Sequence, residues 1–112
     1  MTADYSQTNR ARACLSSLQE QVDKGFLHLN KLCTVAGNFQ SSELDAHQKV
    51  SYELAFCVAE IQASKAMLDY SDKFSSQDKL CEGLSLTFTA DVLTTVWQRL
   101  FNHSIEAGLL KN

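Results

Sequence analysis

Apolar residues in the first third of the chain recur at steps of three and four. From about Tyr5 to Ala36 they fall at Ala11, Leu15, Leu18, Val22, Gly25, Leu29, Leu32 and Ala36, the heptad seam of an amphipathic helix. Gly25 lies on the seam. A glycine inside a helix costs about 1 kcal/mol relative to alanine, so it marks a kink or the close approach of a neighbouring helix. Beyond Gly25 the apolar face widens with Phe26, Leu27, Cys33 and Val35. That is more than one neighbour covers.

"GNFQSS" (37–42) then reads as a loop. Gly37 suits the left-handed position just past a helix end. Ser42 is the next N-cap, and Asp45 three residues on makes a short-armed capping box. The second helix runs over 43–71 with a seam of His47, Val50, Leu54, Cys57 or Val58, Ile61, Lys65 and Leu68. Ala55, Ala59, Ala63 and Ala66 flank it and suit close helix packing. "SDKFSSQDK" (71–79) is a polar connection anchored by Phe74, with Ser76 or Asp78 as a cap.

The third helix covers 78–106. It carries Leu80, Leu84, Phe88, Val92, Val96, Leu100 and Ile105, with Trp97 and Phe101 beside them. Its β-branched residues have strand propensity, but the i+4 spacing from Leu84 to Leu100 favours helix. Gly108 ends it. Residues 1–112 are therefore expected to form one all-α domain. Its three helices, over 5–36, 43–71 and 78–106, are each about 45 Å long and make an antiparallel up-down-up bundle.

Composition narrows the function classes. The chain has no Pro and four Gly, too few turn residues for a sandwich or barrel with many tight turns. A content of 45% hydrophobic and 21% charged residues supports a buried core rather than disorder. The formal charge is −3, with no Lys/Arg run, so a nucleic-acid partner is not expected. No apolar run approaches the roughly 18 residues of a membrane span, and the polar start lacks a signal-peptide core. Cys14, Cys33, Cys57 and Cys81 contain no C-x-x-C pair. They are expected to be reduced, core-filling thiols of a cytoplasmic protein.

Candidate chemistry is sparse. "LHLNKLCTVAGNFQ" sets Lys31 three residues after His28, a partial match to the H-x-x-K-G pattern of histidine phosphotransfer bundles. Leu32 stands where that pattern has Gly, whose lack of a side chain lets a partner approach the imidazole. His47 has Val50 and Ser51 at i+3 and i+4, so no second metal ligand sits beside it. His103 reads as a cap-region residue. No Glu has a His three residues on, which removes a diiron site. His47 and Cys57 lie about 15 Å apart along one helix, too far for a nucleophile–base pair. No nucleophile-elbow or phosphate-loop motif occurs. No catalytic, metal or cofactor-binding residue is assigned.

One family resemblance covers roughly residues 42 to 101. "LDAHQKVSYELAFCVAEIQASKAMLDYSDK" and "LCEGLSLTFTADVLTTVWQRLF" resemble the helical N-terminal extension of large acyl-CoA dehydrogenases of the methylsuccinyl-CoA type. The matching positions are Leu44 to Gln48, Tyr52 to Ala55, Ala59, Ala63, Ala66 to Tyr70, and Phe88 to Val92. The resemblance implies a fatty-acyl-CoA oxidation context and a bundle that packs against a dehydrogenase. That family's flavin site and catalytic Glu belong to a core of several hundred residues, and no residue of this chain inherits those roles.

The expected function is a non-catalytic interaction or accessory domain. It docks on an acyl-CoA dehydrogenase-like enzyme or pairs with itself as a homodimer. The candidate interface is the surplus apolar surface of Phe26, Leu27, Val35, Leu86, Leu93, Trp97 and Phe101, centred on Trp97 and Phe101. The alternatives are a phosphotransfer domain using His28 and Lys31, and a bundle that holds a small acyl ligand in a cavity near Gly25.

Overall fold

Three long helices arise where the apolar periodicity places them. The computed structural model describes residues 6–74 and 79–110. They form α1 (Ser6–Cys33), a two-residue pair β1 (Thr34–Val35) and β2 (Asn38–Phe39), α2 (Ser41–Ala46), α3 (Gln48–Phe74) and α4 (Lys79–Asn102). The all-α expectation holds. The start of the first helix at residue 5 and the Ser76 or Asp78 cap lie outside the described residues.

Four boundaries differ from the sequence reading. α1 stops at Cys33 rather than 36, because the chain reverses through Ala36 (φ 53°) and Gly37 (φ 80°). Two successive left-handed residues make a tight hairpin turn, which pairs Val35 with Asn38 and Thr34 with Phe39. The Gln40 N–H then donates to the Cys33 carbonyl at 2.7 Å, satisfying a group the helix end leaves open. The expected second helix is broken at His47 (φ −111°, ψ 23°), and α2 follows Gln40, so Ser42 lies inside it rather than capping it. α3 continues to Phe74. α4 ends at Asn102, and residues 103–110 fold back in successive turns. There the Ser104 carbonyl accepts the N–H groups of both Leu109 (2.7 Å) and Leu110 (3.1 Å), and Gly108 takes φ 76°.

Side-chain pairs fix the helix directions. Arg12 near the start of α1 reaches Asp69 and Asp72 near the end of α3, so those helices are antiparallel. Glu53 meets Arg99, Ser64 meets Thr89, and Ser85 meets the Met67 carbonyl, so α3 and α4 are antiparallel too. α1 and α4 therefore run side by side in the same sense, completing the up-down-up bundle.

The core is Leu15, Val22 and Leu29 from α1, Val50, Leu54, Cys57, Ile61 and Leu68 from α3, and Val92, Val96 and Leu100 from α4. Gly25 marks a close approach. A Cβ there would lie 3.1 Å from the Leu54 methyls and 3.6 Å from Ala107 Cβ. The space expected for a ligand near Gly25 is filled by these side chains.

Two expected faces are corrected. Leu84 is 57% exposed and Phe88 half-buried, whereas Ser85, Thr89, Val92, Val96 and Leu100 are buried. A strict i+4 line advances about 40° past a full turn at each step, so four steps carry Leu84 away from the face that holds Leu100. Ala55, Ala59, Ala63 and Ala66 are exposed, so they lie outside the helix contacts of the bundle. On α3 the buried seam passes through Ser64 rather than Lys65. Ser64 Oγ and Thr89 Oγ1 lie 2.7 Å apart in the core, and Thr89 also donates to the Ser85 carbonyl at 2.8 Å. Each hydroxyl is thereby satisfied, as burial requires.

Candidate functional site

The reactive residue types end up in structural settings. Arg99 on α4 pairs with Glu53 and, at 3.7 Å, with Glu60, both on α3. Its guanidinium also lies 4.2 Å from the centre of the Phe56 ring, a cation–π contact. The Glu53 hydrogen bond raises the Arg99 pKa above its ordinary value against the opposing effect of burial. Two carboxylates share one cation here, and the cluster ties α3 to α4. Cys57 lies beside it and is fully buried. Burial pushes its thiol up to about 11, opposed by Arg99 and reinforced by Glu60 and Glu53. A thiol so protonated is a poor nucleophile at neutral pH.

The histidines close one end of the bundle. His28 is half-buried beneath the segment that follows α4, where a Cβ on Gly108 would lie only 2.4 Å from its ring Cγ. Gly108 is therefore in contact with the imidazole, and a phosphotransfer partner has no open approach from that side. Lys31 is exposed. His47, at the break before α3, has Nδ1 2.9 Å from Glu106 Oε1 and ties the same C-terminal segment down. Among the described residues no group of three His, Cys, Asp or Glu can hold a metal ion, and no helix is long and apolar enough to cross a membrane.

One exposed patch is apolar. Trp97 and Phe101, four residues apart on α4, are 57% and 59% exposed. Their rings stack at 5.2 Å with 10° between planes. Beside them runs a groove of about 470 Å³ between α1 and α4, lined by Cys14, Ser17, Leu18, Leu93, Thr94 and Trp97. A second hollow, lined by Leu18, Gln21, Trp97, Phe101, Leu109 and Leu110 among others, continues it toward the folded-back segment. Trp97 lies on the boundary of both.

The expected interface residues divide into two groups. Leu27, Val35, Trp97 and Phe101 are exposed, while Phe26, Leu86 and Leu93 are half-buried against the core. The structure brings Leu93 and Trp97 to one groove, but Val35 sits on the hairpin at the other end of α1 from Cys14 and Leu18. Of the cysteines expected in the core, Cys33 and Cys57 are buried, Cys81 is half-buried and Cys14 is exposed. Cys14 and Leu18 line the groove unforeseen. So do the exposed aromatics of α3 (Tyr52, Phe56, Tyr70 and Phe74) stand outside the expected interface, although a heptad count on the solvent side of α3 reveals them.

Comparison with known proteins adds no relative: no family model, curated protein or solved structure matches the chain.

Proposed function

We propose that this chain is a non-catalytic helical interaction domain that docks another protein on the α1/α4 face. The observation that carries the reading is the stacked, solvent-exposed Trp97–Phe101 pair at the edge of an apolar groove. Exposing two large rings costs hydrophobic stabilisation that burial against a partner recovers, and aromatic side chains are frequent anchors of such contacts. The settings of Cys57, His28 and Arg99 support the absence of catalysis. The sequence resemblance makes an acyl-CoA dehydrogenase-like enzyme the partner of choice, in a cytoplasmic, thiol-reducing setting.

Trp97 is the only tryptophan of the chain, so one fluorine label on tryptophan reports this site alone. Adding a purified acyl-CoA dehydrogenase of the methylsuccinyl-CoA type should shift or broaden the single ¹⁹F resonance. Trp97→Ala should weaken the complex by about 30-fold or more, the loss expected at an interface anchor. A resonance that stays unchanged at saturating enzyme refutes that partner.

A further inference from the structure

The solvent side of α3 carries a second heptad seam. Tyr52, Phe56, Ala59, Ala63, Ala66, Tyr70 and Phe74 follow one another at steps of four, three, four, three, four and four, and every one of them is exposed. No charged residue interrupts the line. A helix that meets neighbours on one side only has a polar opposite face. α3 has an apolar face on each side, and α1 and α4 cover only one of them.

We infer that a second copy of this chain covers the outer face, its α3 antiparallel to this α3 across a two-fold axis at Ala63. The order of side-chain sizes selects that occupant. Tyr52 and Phe74 stand eleven residues to either side of Ala63, and Phe56 and Tyr70 stand seven to either side. The two-fold therefore sets each Tyr opposite a Phe of the other copy and sets Ala63 against Ala63 at the crossing. Small residues there let the backbones approach closely, and a two-fold interface must be self-complementary in this way. The aromatic pairs are already associated within each copy, Tyr52–Phe56 at 6.5 Å and Tyr70–Phe74 at 4.8 Å between ring centres.

A hollow adjoins the Tyr70 end. It measures about 320 Å³ and is lined by Ala66, Met67 and Tyr70 of α3 and Cys81, Leu84 and Ser85 of α4. In the antiparallel register Phe56 of the second copy arrives at the level of Tyr70, beside this hollow. The area suffices. Four aromatic side chains of roughly 150–250 Å² each, about half exposed, supply about 400 Å². The alanine stripe with exposed Leu80 and Leu84 brings this near the ~800 Å² per partner of a standard interface. The pairing uses a different face from Trp97 and stands whether or not that face docks an enzyme.

Sedimentation equilibrium of the full chain tests the inference. A concentration-dependent dimer is expected. Ala63→Glu, at an exposed position with a good helix former, should raise the dissociation constant about 100-fold or more, because two carboxylates meet at the axis. Trp97→Ala should leave the dimer intact, which separates this result from the docking reading. In a Cys14→Ser, Cys81→Ser background, Tyr52→Cys mixed with Phe74→Cys should cross-link under mild oxidation, whereas Tyr52→Cys alone should not. The cross-link decides the matter if Ala63→Glu fails to fold. A chain that stays monomeric throughout, a dimer that survives Ala63→Glu with its helical circular dichroism unchanged, or Tyr52→Cys linking to itself would each overturn the inference.

Discussion

The two sides of α3 share a period and differ in everything else. The inner side, Val50, Leu54, Cys57, Ile61, Ser64, Leu68 and Ser71, is buried along its whole length. It mixes aliphatic side chains with small polar ones. The outer side has aromatics at both ends, alanines between them, and every one of these residues exposed in the single chain. Aliphatic residues interlock with two different helices at once, and small hydroxyls fit where those helices come closest. Flat rings and bare methyls suit one broad neighbour. Period alone shows that a face is to be covered; the sizes along it show what kind of surface covers it.

Substitution should separate the two sides most sharply at Leu54. It is 2% exposed and touches the site of Gly25. Leu54→Ala should cost about 2–5 kcal/mol in chemical denaturation, through lost burial and a residual cavity. Tyr52→Ala on the outer side, measured on dilute monomer, should stay within about 0.5 kcal/mol. Equal losses at both positions would break the contrast.

Cys57 gives the next largest effect. Its folded thiol holds a proton more tightly than the unfolded one, with a pKa of about 11 against an ordinary 9.0. Its contribution is therefore complete below about pH 9 and disappears as pH rises toward 11. That amounts to at most about 3 kcal/mol. The difference in unfolding free energy between wild type and Cys57→Ala, followed from pH 8 to pH 11, isolates it. A constant difference would place the thiol in contact with water.

Ser64 gives the smallest. Ser64→Ala removes one hydrogen bond to Thr89, which keeps its bond to the Ser85 carbonyl. About 1 kcal/mol should be lost, readable as a shift in the denaturation midpoint with an unchanged slope. A loss as large as that at Leu54 would mean that the hydroxyl pair, rather than aliphatic burial, governs the α3/α4 contact.

Much of the fold was legible because α1, α3 and α4 each carry enough apolar periodicity to override local propensity. The β-branched stretch around Thr87 to Val96 is helical despite its strand preference. Details that depend on three-dimensional fit were hidden. The Ala36–Gly37 reversal needs an alanine in a left-handed conformation, which sequence statistics disfavour. Ser64, Ser85 and Thr89 look like surface residues until their hydroxyl partners are seen. The i+4 line through Leu84 imitates a core stripe because its drift around the helix is invisible in a linear reading. At the candidate site, Trp97 and Phe101 stood out by size, but the groove that gives them a context needs Cys14 and Leu18 from a helix some eighty residues away in sequence.

The short helix α2 has a consequence of its own. It buries no residue, and the break at His47 separates its hydrogen-bond ladder from that of α3. Its opening therefore costs little and leaves the three long helices in place. A protease that nicks the backbone within Ser41–Ala46 should sever the chain without dismantling it: the piece bearing α1 and the piece bearing α3 and α4 share a common interior and should remain a non-covalent pair, which size-exclusion chromatography of the nicked chain checks.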